Sequence, residues 1–139
     1  MKTNSYSKDE LEHLLELYKQ YNLDYIYIAD SFGNMDYNEL DKYYNIIKNF
    51  DKNIKIGIHL HNSYQNAFSN FNYIKYKNYD IDIIDTTLYG MGRGSGNLPF
   101  EIIACSKNLN YTNDQILQIL KFIIIYLIPI HGNTRSEEH

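Results

Sequence analysis

Leu11, Leu14, Leu15 and Tyr18 recur at i, i+3, i+4 and i+7 behind Ser7-Lys8-Asp9-Glu10, which has the Ser-x-x-Glu form of a capping box, so the pattern predicts a helix from about Ser7 to Tyr21. Asp24 to Asp30 is short, β-branched and aromatic, and it stops at Ser31-Phe32-Gly33, as a strand feeding a turn does. A second capping box, Asp36 to Glu39, opens a helix whose Leu40, Tyr43, Tyr44 and Ile47 form one stripe. Lys55 to His59 predicts a second strand and Tyr64 to Lys77 a third helix, with Ala67, Phe68, Phe71 and Ile74 on one side. Ile81 to Leu88 predicts a third strand, and it runs into the glycine loop from Gly90 to Gly96. Asn97 is placed to cap a helix opening at Leu98 and Pro99. Thr112-x-x-Gln115 caps a last helix that ends near Ile128, because Pro129 follows.

Strands that begin near residues 25, 55 and 82 repeat at the length of a β/α unit, so the fold class is α/β with about three parallel strands and flanking helices. The strands are nearly continuous apolar runs, which predicts cover on both faces. In such sheets the functional groups collect at the C-terminal strand ends. Residues 1–130 are expected to form the folded portion, and the polar residues 131–139 a frayed tail.

Composition narrows the function classes. The 139 residues carry 13 Lys and Arg against 17 Asp and Glu, a net charge of −4 with the basic residues scattered, so neither a nucleic acid nor a membrane surface is expected as partner. The longest apolar run, Phe122 to Ile128, is far shorter than the roughly 20 residues of a membrane span. The lone Cys105 permits no internal disulfide, which suits the cytoplasm, and it is expected to be a core residue of the helix after the glycine loop. The many Tyr and Asn residues reflect coding bias rather than chemistry.

Three constellations carry chemistry. In His59-Leu60-His61, residues two apart on a strand project to one face, so both imidazoles can meet one divalent cation; the alternative is two partly buried, hydrogen-bonded side chains. Asp30 and Ser31 either orient a substrate or satisfy the N–H groups of a turn. Gly90-x-Gly92-x-Gly94-Ser95-Gly96-Asn97 allows close approach to an oxygen-rich ligand, with Arg93 as a cation, or is an ordinary βα loop; it lacks the spacing of a dinucleotide loop and the Lys of a P-loop.

In this order, Ala29-Asp30-Ser31-Phe32-Gly33, Gly57-Ile58-His59-Leu60-His61-Asn62 and Asp85 through Asn97 resemble the metal-dependent aldolase, lyase and Claisen-type synthase superfamily over about residues 1–105. That superfamily includes 4-hydroxy-2-oxovalerate aldolase, hydroxymethylglutaryl-CoA lyase and 2-isopropylmalate synthase. The resemblance implies a TIM barrel binding a divalent metal, with Mn²⁺ first and Mg²⁺, Co²⁺ or Zn²⁺ as alternatives, and chemistry through an enolate next to a carbonyl. It makes His59 and His61 metal ligands and Asn97 a third, and it puts Asp30 and Ser31 near the substrate, where Arg93, the cation of the loop, is expected to join them.

The glycine loop has no cysteine, unlike that of the hydroxymethylglutaryl-CoA lyases, and Asn97-Leu-Pro-Phe-Glu101 is closer to the aldolases than to the synthases. The expected activity is therefore lyase cleavage of a 4-hydroxy-2-oxo acid to pyruvate. A 2-isopropylmalate-synthase-like acyltransferase is one alternative, and a non-catalytic fragment or pseudoenzyme subunit is the other. The family's aspartate and arginine motif on the first barrel strand has no match, and a whole barrel needs about 250 residues. The chain therefore reads as a C-terminal half-barrel, expected to be inactive alone and to work as a homo-oligomer or with a complementary N-terminal half. The general base is not identified.

Overall fold

The computed structural model of the protein describes residues 6–105 and 111–128, so the expected tail at 131–139 lies outside the described residues. The described residues divide into two compact units, residues 6–85 with 92–98, and residues 86–91 with 99–105 and 111–128.

The first unit alternates α1 (Lys8–Gln20), β1 (Tyr25–Asp30), α2 (Tyr37–Phe50), β2 (Lys55–Leu60), α3 (Asn66–Lys77) and β3 (Ile83–Asp85). Both expected capping boxes are formed: Ser7 and Glu10 exchange bonds at the start of α1, and Asp36 and Glu39 do so at α2. The strands are parallel in the order β1-β2-β3, with Ala29 beside His59 and His59 beside Asp85. Ile28, Ile56, Ile58 and Leu60 belong to the buried core with Leu40, Tyr43, Ile47, Ala67, Phe71 and Ile74 from the helices. Each buried Ile, Leu or Phe side chain among them contributes roughly 1.5–3 kcal/mol by leaving water.

The opposite face departs from the expectation of cover on both sides. Register puts Tyr25, Tyr27, Ala29, Gly57, His59, Ile83 and Asp85 there, and Tyr27 is 44 % exposed. Apolar runs conceal this, because Tyr and Ala count as apolar while period two divides the residues of each strand between a core face and an open one.

Other boundaries shift for local reasons. α3 starts at Asn66 rather than Tyr64, because Tyr64 and Gln65 take left-handed φ values of 52° and 60° in a 3₁₀ turn. Asn66 then anchors the helix by donating its amide to the Gly33 and Met35 carbonyls. β3 is shorter than Ile81 to Leu88: its ladder with β2 runs from Ile83 to Asp85, and Asp82 joins the edge through its carboxylate, which accepts from the Ile56 N–H at 2.8 Å.

In the second unit, α4 is only Phe100–Ala104, and Pro99 rather than Asn97 precedes it, without a side-chain cap. Cys105 ends that helix exposed, not in the core, because the helix stops one residue before it. α5 (Asn113–Phe122) opens on the expected Thr112–Gln115 capping box and continues as a π-helical turn, Ile123–Leu127. No helix among the described residues is long and apolar enough to cross a membrane.

A polar cluster joins α2 to α3. Tyr73 and Tyr79 donate their hydroxyls to Asp41, Lys77 pairs with it at 3.4 Å, and Tyr37 stacks on Tyr73. Burial pushes the Asp41 carboxyl up, but the Tyr79 and Tyr73 hydroxyls and the Lys77 charge outweigh it and hold it below its ordinary value. A depressed carboxyl contributes stability above the unfolded-chain value of about 3.9 and loses it as pH falls through the folded value. Asp41→Asn is therefore expected to cost on the order of 1–2 kcal/mol at neutral pH, after discounting for solvent, and the gap to the parent should close in acid. Urea denaturation of both proteins across that range measures it.

Candidate active site

The C-terminal strand ends meet as the row Ala29, His59, Asp85. Asp85 Oδ2 lies 3.1 Å from His59 Nδ1, and the His59 and His61 rings stand edge to face with centroids 5.3 Å apart. Burial, followed by the charge of His59, pushes the His61 imidazole below its ordinary value, which favours the neutral form that ligates metals.

Asp30 is fully buried, and its two carboxylate oxygens accept the N–H groups of Asn34 and Met35 at 3.1 and 3.0 Å. Its main-chain carbonyl takes the N–H groups of Gly33 and His61. These bonds are those of the turn, and they tie the end of β1 to His61. Ser31 follows, half-buried.

The glycine loop returns alongside β2. The Asn62 N–H donates to the Gly96 carbonyl at 2.9 Å and the Leu98 N–H to the Leu60 carbonyl at 3.1 Å, so Asn97 pairs with His61 in an antiparallel bridge. Extended pairing here, with Leu98 fully buried, is why Asn97 faces His61 instead of capping a helix. Gly92 makes room for it, since a Cβ there would fall 2.4 Å from Asn97 Nδ2. Ser63 locks the loops by donating to the Phe32 carbonyl and bonding Ser95 Oγ at 3.0 Å, while Arg93 stays exposed.

Thus His59, His61 and Asn97 come together, Asp30 supports them from the turn, and Arg93 stands on the outer loop. Two imidazoles and an amide suit part of the coordination of a divalent transition metal. Among the described residues no three His, Cys, Asp or Glu side chains gather for a metal ion, so an anionic ligand is lacking from the set. Asn62 Oδ1, next to His61, is buried without a hydrogen-bond partner among the described residues.

The family model described as HMGL-like matches residues 1–120. The chain belongs to the HMGL-like family. It is 33 % identical over 88 residues to the 4-hydroxy-2-oxovalerate aldolase of Thermus thermophilus, an alignment covering 63 % of this chain and 25 % of that protein. Among solved structures it resembles the N-terminal domain of an aldolase from Bacteroides vulgatus (TM-score 0.65, 25 % identity, 81 % of this chain and 36 % of that one). It also shares the fold of an HMG-CoA lyase from A. baumannii, solved with coenzyme A and 3-methylmalate (TM-score 0.66, 18 % identity, 84 % of this chain and 41 % of that one). The chain therefore spans less than half the length of these relatives. Its three parallel strands and their helices are part of an HMGL-like TIM barrel, in a family of lyases and aldolases whose members generally depend on a divalent metal.

Two residues of this HMGL-like site escape a linear reading. Asp85 starts the glycine-loop motif, but its bond to His59 becomes visible only when the strands are aligned. Tyr27, two strands away, feels the same carboxylate: burial, then the Asp85 charge, pushes its phenol pKa up. The signal present in the sequence is Gly57, two residues before His59 and opposite Tyr27.

Gly33, at φ +67°, would place a Cβ 2.6 Å from the Ser63 backbone nitrogen. Gly33→Ala is expected to cost roughly 2–4 kcal/mol, combining left-handed strain with overpacking against backbone. Gly92→Ala meets the Asn97 side chain first, 2.4 Å from Nδ2 and 2.9 Å from Cγ, with the Asn97 backbone nitrogen at 3.3 Å, so it should cost less than Gly33→Ala while displacing the Asn97 amide. Thermal melts together with the Asn97 side-chain amide NMR signals separate the two effects.

Proposed function

We propose that this chain is the metal-binding portion of an aldolase-type lyase that cleaves a 4-hydroxy-2-oxo acid to pyruvate and an aldehyde. The convergence of His59, His61 and Asn97 at the C-terminal strand ends carries the reading, and the aldolase relative supports its substrate class. His59, His61 and Asn97 hold the cation, with Mn²⁺ as first choice. When bound, the metal supplies Lewis-acid polarisation of the 2-oxo group. Arg93 provides a cation on the loop for the substrate carboxylate, Ser31 a hydroxyl at the end of β1, and Asp30 the fixed turn beneath them.

The anionic ligand comes from outside the described residues, on a complementary N-terminal half-barrel. Support for such a partner lies at the outer edge of β1, which pairs with no strand among the described residues. Beside that edge an apolar cavity of about 470 Å³ is lined by residues including Leu11, Leu15, Tyr18, Ile26, Ile28 and Ile47. An unpaired edge beside apolar surface favours strand addition. A cytoplasmic site of action fits the single cysteine.

Mixing the chain with the N-terminal half of a homologous aldolase and assaying pyruvate with and without Mn²⁺ tests the proposal. Metal-dependent cleavage is expected, falling at least about 100-fold when His59 and His61 are both changed to Ala, while the isolated chain binds Mn²⁺ weakly. Cleavage without metal, or unaffected by the double change, would overturn it. Thiol release from an acyl-CoA in place of pyruvate formation would select the synthase alternative.

A further inference from the structure

The glycine loop returns against the end of β2 in one continuous antiparallel register. The Leu98 N–H donates to the Leu60 carbonyl, Asn97 pairs with His61, and the Asn62 N–H donates to the Gly96 carbonyl. The next step of that register sets Ser95 opposite Ser63, and here side chains make the bond, Oγ to Oγ at 3.0 Å. Beyond it the Gly96 N–H returns to the Arg93 carbonyl at 3.3 Å, closing the turn Arg93–Gly96 with Gly94 at φ +65°. Among the described residues nothing lies within 4 Å of a Cβ placed on Gly94, so at its tip the turn packs on nothing. Arg93 and Ser95 are exposed. The bonds at its base therefore set where the turn stands.

Ser63 is itself held from the other side. Its hydroxyl lies 2.8 Å from the Phe32 carbonyl, and a Cβ on Gly33 would fall 2.8 Å from the same Oγ, so only glycine leaves it this place. A hydroxyl has one proton and a carbonyl has none. The Ser63 proton therefore goes to Phe32, and the Ser95 hydroxyl supplies the proton of the second bond. Through one oxygen atom the turn that carries Arg93 is fastened to the loop after β1.

We infer that Ser63 is the positioning residue of Arg93: anchored on the Phe32 carbonyl, it accepts the Ser95 hydroxyl and holds the Arg93–Gly96 turn at the end of β2. That the turn is held for a substrate carboxylate rests on the function proposed above; the clasp itself does not.

Limited trypsinolysis of the full chain reads the clasp directly, because cleavage after Arg93 requires the turn to open locally. In Ser63→Ala and in Ser95→Ala that cleavage should rise roughly 3- to 10-fold, the opening expected for one lost hydrogen bond of ordinary net strength. The double variant should be no faster than Ser63→Ala, since the bond between the two is already gone. Ser95→Thr, which keeps the hydroxyl at an exposed position, should restore the parent rate. Cleavage after Lys75 on α3 should stay constant throughout, which separates local opening from loss of the fold. Because Ser95 is exposed, Ser95→Ala carries the test even if Ser63→Ala does not fold. In the complex with the N-terminal half of a homologous aldolase, Ser63→Ala should raise KM for the 4-hydroxy-2-oxo acid by a similar factor with kcat kept, as for lost binding of a carboxylate.

Cleavage after Arg93 within about twofold of the parent in the folded alanine variants, or an alanine-like rate in Ser95→Thr, would overturn the inference. Faster cleavage with an unchanged KM, or a complex without metal-dependent activity, would instead sink the role given to Arg93 in the proposed function. The proteolysis still decides the role of Ser63.

Discussion

The buried carboxylate of Asp30 is the constraint on which the rest of the site depends. A carboxylate removed from water is tolerable only when hydrogen bonds replace its hydration. Here Asn34 and Met35 supply them from the turn that follows β1. Once that turn is closed, Gly33 sits against Ser63, Asn66 and Asn70 reach the Met35 carbonyl, and the Asp30 carbonyl receives the His61 N–H. One acidic side chain thereby couples the end of the first strand to the histidine pair on the second. Of the two readings of Asp30, the bonds present are those of the turn former.

Parallel register does the remaining assembly. Because side chains alternate along a strand, placing Ala29 beside His59 and His59 beside Asp85 puts Ile28, Ile58 and Ile84 on the other face in the same step. Core formation and site formation are therefore one event: the isoleucines hold the strands in the register that brings Asp85 to His59. A slip of one residue would bury the histidines and expose the isoleucines.

The chemistry this arrangement supports is incomplete within the described residues, in a way that matches its extent. An HMGL-like barrel places its functional groups around a ring of strand ends, and this chain covers 36–41 % of the two solved chains it resembles. The outer edge of β1 pairs with no strand among the described residues, and an apolar cavity lined by α1, β1 and α2 lies beside it.

What the sequence by itself determined was everything specified over a few residues. Capping boxes at Ser7, Asp36 and Thr112 were legible because each side chain bonds a backbone N–H three residues away, and the strand-helix repeat because hydrophobic period is local. The His59 and His61 pair was legible for the same reason, the two lying two residues apart at the end of β2. Tertiary structure decided what depends on distant segments. It put Asn97 opposite His61 rather than on a helix cap, split apolar-looking strands into a buried and an open face, and left Cys105 exposed at the end of a five-residue helix. It also brought Asp85 to His59 from a segment 26 residues away and laid Tyr27 over Gly57. Such contacts follow from strand register and loop closure, quantities that no short window of sequence contains.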